Sequence, residues 1–106
     1  MRLGDIVSQL ESADPELCIV AKQPWSRDSE AMLIRLTDNF AVPNEARAEG
    51  YEYFLEVNVA LEDALPQDRV KLSPDQRFDA VLHYALHDAY PTWLNELAAT
   101  VGGSGA

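Results

Sequence analysis

A chain of 106 residues with 47% hydrophobic content is the size of one globular domain, and its Leu, Ile, Val and Phe positions run along the whole length. Its 18 carboxylates against 8 Lys and Arg give a formal net charge of −10, a field that repels nucleic acid and anionic membrane and attracts basic protein surfaces. The single cysteine, Cys18, excludes an internal disulfide and any thiolate cluster for zinc, which fits a reducing, cytoplasmic setting.

The N-terminus, Met1-Arg2-Leu3-Gly4-Asp5, places an acid where a secretory signal needs an unbroken apolar run. The longest such run, Leu17 to Ala21, is far below the roughly 20 residues that span a bilayer, so a soluble protein is expected. Leu3, Ile6, Val7 and Leu10 then fall at i, i+3, i+4 and i+7, the pattern of an amphipathic helix, which Pro15 ends near Ala13. Leu17 to Lys22, rich in Ile and Val and bounded by Pro15 and Pro24, reads as a central strand buried on both faces. Met32 to Leu36 reads as a second strand, joined to the first as an antiparallel pair through the turn-rich Gln23 to Glu30.

Pro43 to Glu49 predicts one or two helical turns closed by Gly50 as C-cap. Tyr51 to Val57 fits a third strand, with Tyr51, Tyr53, Leu55 and Val57 on one face and Glu52, Phe54 and Glu56 on the other. A helical stripe through Phe54, Leu55, Leu61 and Leu65 is the competing fit, and aromatic and β-branched content favours the strand. A short helix from Asn58 to Ala64 follows, stopped by Pro66. Ser73 as N-cap, Pro74 at N1 and Gln76 as the far side of a capping box then start a helix with the apolar stripe Phe78, Val81, Leu82, Ala85, Leu86 and Ala89. Pro91 breaks it, and Trp93, Leu94, Leu97 and Ala98 make a short last helix. The expectation is a single α+β domain over 1–101, with a small, three-stranded antiparallel sheet packed against helices, and a flexible Gly-rich tail over 102–106.

Residues that could carry chemistry are few. Asp79, His83 and His87 recur every fourth position on one side of the last long helix, a spacing that can bind one metal ion; a solvated helix face is the plainer reading. Cys18 sits inside an apolar run, where burial makes a thiol inert. The only glycines outside the tail are Gly4 and Gly50, so no phosphate cradle can be built and no cofactor is expected. No catalytic residue emerges.

The charge is less evenly spread than the total implies. From Asn44 to Asp68 the acids Glu45, Glu49, Glu52, Glu56, Glu62, Asp63 and Asp68 face only Arg47. Within this stretch Glu52-Tyr53-Phe54-Leu55-Glu56, as a strand, sets Phe54 between two like charges, an aromatic anchor in an acidic rim; the competing reading is a Phe54 covered by a helix with the glutamates projecting past it, the acidic run being then only a solvated face. Glu62 and Asp63 extend that acidity, and Trp25, in the loop beside Arg27 and Asp28, is a second candidate anchor that could equally plug the edge of a core.

The order of features from Asn44 onward resembles a family of small, uncharacterised bacterial domains often associated with toxin and immunity loci. The resemblance rests on Ala48-Glu49-Gly50-Tyr51-Glu52-Tyr53-Phe54-Leu55 and on His83-Tyr84-Ala85-Leu86-His87-Asp88-Ala89-Tyr90, and covers about half the chain. It implies an acidic immunity protein that caps a basic toxin domain, with no catalytic residues. Composition leads separately to a non-enzymatic domain that binds a basic protein partner and neither nucleic acid nor membrane. A metal-binding domain or metal-dependent hydrolase on Asp79, His83 and His87, and a regulatory adaptor for another partner, are the alternatives.

Overall fold

The structure is a computed structural model, and it describes residues 1–65 and 72–87. Leu3–Ser8 forms α1, with Leu3, Ile6 and Val7 buried along one stripe. The stripe continues through Leu10, but in a separate 3₁₀ turn, Leu10–Ser12, where a single helix to Ala13 was expected. Ser8 supplies the reason: its hydroxyl donates to the Asp5 carbonyl at 2.9 Å, competing with the backbone ladder, and the next residue, Gln9, leaves helical geometry at φ −119° and ψ 24°.

The sheet is the α+β core that the pattern predicts. Strands β1 (Cys18–Lys22), β2 (Ala31–Ile34) and β3 (Tyr51–Glu56) are antiparallel in the order β2-β1-β3. The first of these is central, and Cys18 to Ala21 are buried on both faces, as its unbroken apolar run requires. Because side chains alternate, Ile19 and Ala21 face one layer and Cys18 and Val20 the other. The larger layer joins Ile19 and Ala21 to Leu3, Ile6, Val7 and Leu10 below and to Phe54, Val57, Phe78 and Val81 beside them. The smaller layer puts Val42 and Ala46 against Cys18 and Val20. Ala46 belongs to α2 (Asn44–Ala48), and Gly50 just beyond it takes φ 96°, the left-handed C-cap that only glycine adopts without strain.

Val57–Val59, α3, leads into a π-helical turn over Ala60–Ala64, which takes the place of the short regular helix expected there. α4 runs over Pro74–His87 and opens with the predicted capping box: the Gln76 N–H donates to Ser73 Oγ at 3.1 Å and the Ser73 N–H to Gln76 Oε1 at 3.0 Å. Its buried stripe turns toward Ala80 and Val81, with Leu82, Tyr84 and Ala85 packed partly against the core; Leu86, assigned to the stripe by spacing, is 56% exposed. Arg77 ties α4 to the N-terminal segment, donating from Nε to the Val7 carbonyl at 2.9 Å and from Nη2 to Glu11 at 2.6 Å. That guanidinium holds the Glu11 carboxyl below the usual carboxylate range against the opposing effect of partial burial. Ala89, the segment Trp93 to Ala98 and the tail at 102–106 lie outside the described residues, as do Pro66, Asp68 and the C-terminal end of the 1–101 domain.

Candidate functional site

Of the two readings of Phe54, the structure shows the buried one, and the residue is no surface anchor. Phe54 is 1% exposed and lies in the larger core layer, its ring 5.0 Å from that of Trp25 in an edge-to-face arrangement at 80°. The cause is a β-bulge. Val20 pairs with Tyr53 and Ile19 with Leu55, so Phe54 is an extra residue with no partner on β1. The bulge lets two adjacent apolar side chains, Phe54 and Leu55, both enter the same core.

It also parts the two glutamates that were expected to share a face. Glu52 pairs with Ala21 and Glu56 with Cys18, residues of β1 that point to opposite sides of the sheet. The acidic rim around a central phenylalanine therefore does not exist. Trp25 is correspondingly a plug: half-buried, it donates from Nε1 to the Ala21 carbonyl at 3.2 Å and covers Phe54 at the sheet edge. The loop carrying it is stapled by Ser29, whose hydroxyl donates to the Pro24 carbonyl at 2.9 Å and accepts from the Ser26 N–H at 2.8 Å.

The acids themselves are on the surface. Glu45, Glu49, Glu52, Glu62 and Asp63 are exposed and Glu56 is half-buried. Elsewhere, ion pairs engage Arg2 with Asp28, Lys22 with Glu30, Arg27 with Asp75, Arg35 with Asp14 and Glu16, and Arg77 with Glu11. Five of the six Lys and Arg side chains among the described residues are thus committed to carboxylates outside the acidic stretch. None of these pairs reaches Glu45, Glu49, Glu52, Glu56, Glu62 or Asp63. Lys22 and Glu30 are matched strongly enough that each hydrogen-bonds the other's charged form, raising the ammonium pKa and lowering that of the carboxyl.

The corner where α2 meets β3 gathers the clearest surface features. A cleft of about 470 Å³ is lined by Val42, Arg47, Gly50, Tyr51, Glu52 and Tyr53. Tyr51 and Tyr53 extend from the smaller layer, Tyr53 with 43% of its surface exposed, and the Lys22 ammonium lies 5.0 Å from the Tyr51 ring centre. Glu52 in this cleft and Glu49 beside it are held in no ion pair among the described residues, although Arg47 lines the cleft and the Lys22 charge reaches Glu49; carboxylates next to aromatic faces suit cationic groups, through ion pairing and through the rings. Sequence spacing places Tyr51 and Tyr53 together on one side of the strand, and the register agrees: they pair with Lys22 and Val20.

Among the described residues, Cys18 and the α4 histidines are the groups the sequence singles out for chemistry. Burial, with a smaller contribution from the nearby Glu56 charge, pushes the Cys18 thiol up to about 12, and the group sits under the smaller layer donating to its neighbour's carbonyl at 3.5 Å. His83 and His87 lie on the same side of α4 with ring centres 4.5 Å apart and planes at 50°. Among the described residues no three His, Cys, Asp or Glu side chains come together as a metal site, Asp79, His83 and His87 included. Nor is any helix among those residues long and apolar enough to cross a membrane. Compared with protein families, curated proteins and solved structures, the chain matches none.

Proposed function

We propose that this chain is a non-enzymatic domain that binds a basic protein partner through its acidic α2–β3 side, with an immunity protein neutralising a basic toxin domain as the most concrete form of that activity. The observation that supports it is the segregation of charge. Among the described residues five of the six Lys and Arg side chains, all but Arg47, are held in ion pairs with carboxylates outside the acidic stretch, while Glu45, Glu49, Glu52, Glu62 and Asp63 stay exposed with no ion pair. A partner's Arg or Lys can therefore engage them without first breaking an existing pair. Negative charge laid over a toxin site that handles an anionic substrate blocks it by occupying the place of that substrate.

A regulatory adaptor differs from this only in what the partner does. The metal-dependent alternative on Asp79, His83 and His87 gains no support from the geometry. Co-purification with the intact tagged chain from its own cells, with the partner identified by mass spectrometry, is the test. The expected partner is strongly basic, is released as ionic strength rises, and when expressed alone arrests growth that this chain restores. A sole partner that is acidic and insensitive to salt would overturn the reading. Stoichiometric zinc in the purified chain, lost on His83→Ala, would move the function to α4.

A further inference from the structure

One aromatic residue is held in the open by a backbone conformation that disfavours it. The 37–41 loop is closed by three hydrogen bonds: the Phe40 N–H donates to the Thr37 carbonyl at 2.8 Å, the Thr37 N–H to the Ala41 carbonyl at 2.9 Å, and the Ala41 N–H to Thr37 Oγ1 at 3.2 Å. Turn residues Asp38 and Asn39 precede Phe40, which takes φ 59°. In this left-handed region Cβ crowds the backbone, so glycine or asparagine is the usual occupant. Phe40 is also 80% exposed, so its ring recovers little by burial within the chain. Lone exposed apolar residues are ordinary, and strained residues are ordinary where packing enforces them; a residue both strained and unburied is neither.

The surroundings say what would cover it. Phe40, Leu36 and Pro15 form the apolar part of a cleft of about 450 Å³, and Glu16, Asp38 and Glu56 supply its acids. Arg35 also lines the cleft, already engaged by Asp14 and Glu16. A second copy of the chain would bring the same acids and a net charge of −10 against this rim. We propose that Phe40 is a binding anchor, displayed for a basic, amphipathic segment of the partner protein whose apolar side chains cover the ring while its Lys and Arg meet Asp38 and Glu56. The inference rests on the basic-partner reading above and adds a specific apolar contact to it.

Two synthetic peptides of equal length and equal positive charge separate the two claims: one amphipathic and built from Lys and Leu, the other with every Leu replaced by Ala. Each is titrated at low ionic strength into the whole chain and into Phe40→Gly, by calorimetry. The Lys/Leu peptide is expected to bind the parent at least about tenfold more tightly than the Lys/Ala peptide, and Phe40→Gly is expected to erase that advantage while leaving Lys/Ala binding unchanged. Because glycine relieves the left-handed strain, the variant's melting temperature is expected to stay level or rise by up to about 4 °C. Phe40→Asn, whose side chain also tolerates this conformation, is expected to bind like Phe40→Gly.

Survival of the Lys/Leu advantage in the folded variants would overturn the anchor and leave the acidic surface standing. A melting temperature lowered by more than about 5 °C in both variants would assign Phe40 a structural role instead. Light scattering that finds a dimer in the parent and a monomer in Phe40→Gly would make a second copy the occupant and overturn the proposal. Failure of both peptides to bind would remove the acidic-surface reading and the anchor with it.

Discussion

Phe54→Ala is expected to destabilise the fold by about 3–5 kcal/mol, the usual cost of emptying a buried phenylalanine site. In a domain of this size that lowers the melting temperature by about 15–30 °C, measured by circular dichroism across a thermal scan. The cost should fall at the upper end for two reasons. Phe54 is 1% exposed between α1, β1 and α4, and its ring also supports Trp25 edge-on at 5.0 Å. Removing it leaves a cavity and takes away the ring against which Trp25 packs. A variant that melts like the parent would place Phe54 on the surface, contrary to the bulge at Tyr53 to Leu55. With a total stability of about 5–15 kcal/mol for such domains, Phe54→Leu is the better choice for any binding comparison.

That bulge is also where reading from the sequence fails, for a definable reason. In β1 and β2 the partners match one for one, and the unbroken apolar run of β1 correctly makes it the doubly buried centre. In β3 one residue too many is inserted, so the period of two breaks between Tyr53 and Leu55, and everything inferred from Phe54 sharing a side with Glu52 and Glu56 breaks with it. A signal was present: Phe54-Leu55 is a pair of adjacent large apolar residues in a strand otherwise alternating with polar ones. The capping box at Ser73 and Gln76 and the glycine stop at Gly50 were legible because each depends on two or three neighbouring residues. Charge segregation was only half legible. The sequence places the acids together, but which carboxylates the arginines select, such as Asp75 for Arg27 and Glu11 for Arg77, depends on tertiary contacts between distant segments. Phe40 left no periodic trace, since its meaning lies in a backbone angle and an exposure.

Reversing Glu45, Glu49 and Glu52 together to Lys is expected to slow association with the proposed basic partner by about ten- to hundredfold at low ionic strength, with a smaller effect on dissociation. Each reversal adds two positive charges, so the net charge moves from −10 to −4. The association rate of the variant should also lose most of its dependence on salt, since the steering field is what salt screens. All three glutamates are exposed, and no ion pair among the described residues holds them, so the substitutions strand no buried partner and the fold should persist. The exception is a small loss at Glu45 in the first turn of α2, where an acid suits the helix end. Stopped-flow mixing at several salt concentrations reads the effect. Equal rates for parent and variant would show that encounter is not steered by this surface.

If a basic partner is bound as proposed, it sits over the α2–β3 corner and the 37–41 loop, and amide chemical-shift mapping of the labelled chain during titration with the partner found by co-purification tests this most directly. The predicted result is perturbation concentrated at Asp38 to Ala41 and Glu45 to Tyr53, with the Trp25 and Phe54 pair responding little because it is core. Perturbation centred instead on His83 and His87, with the Glu45 to Tyr53 signals unmoved at saturation, would contradict it.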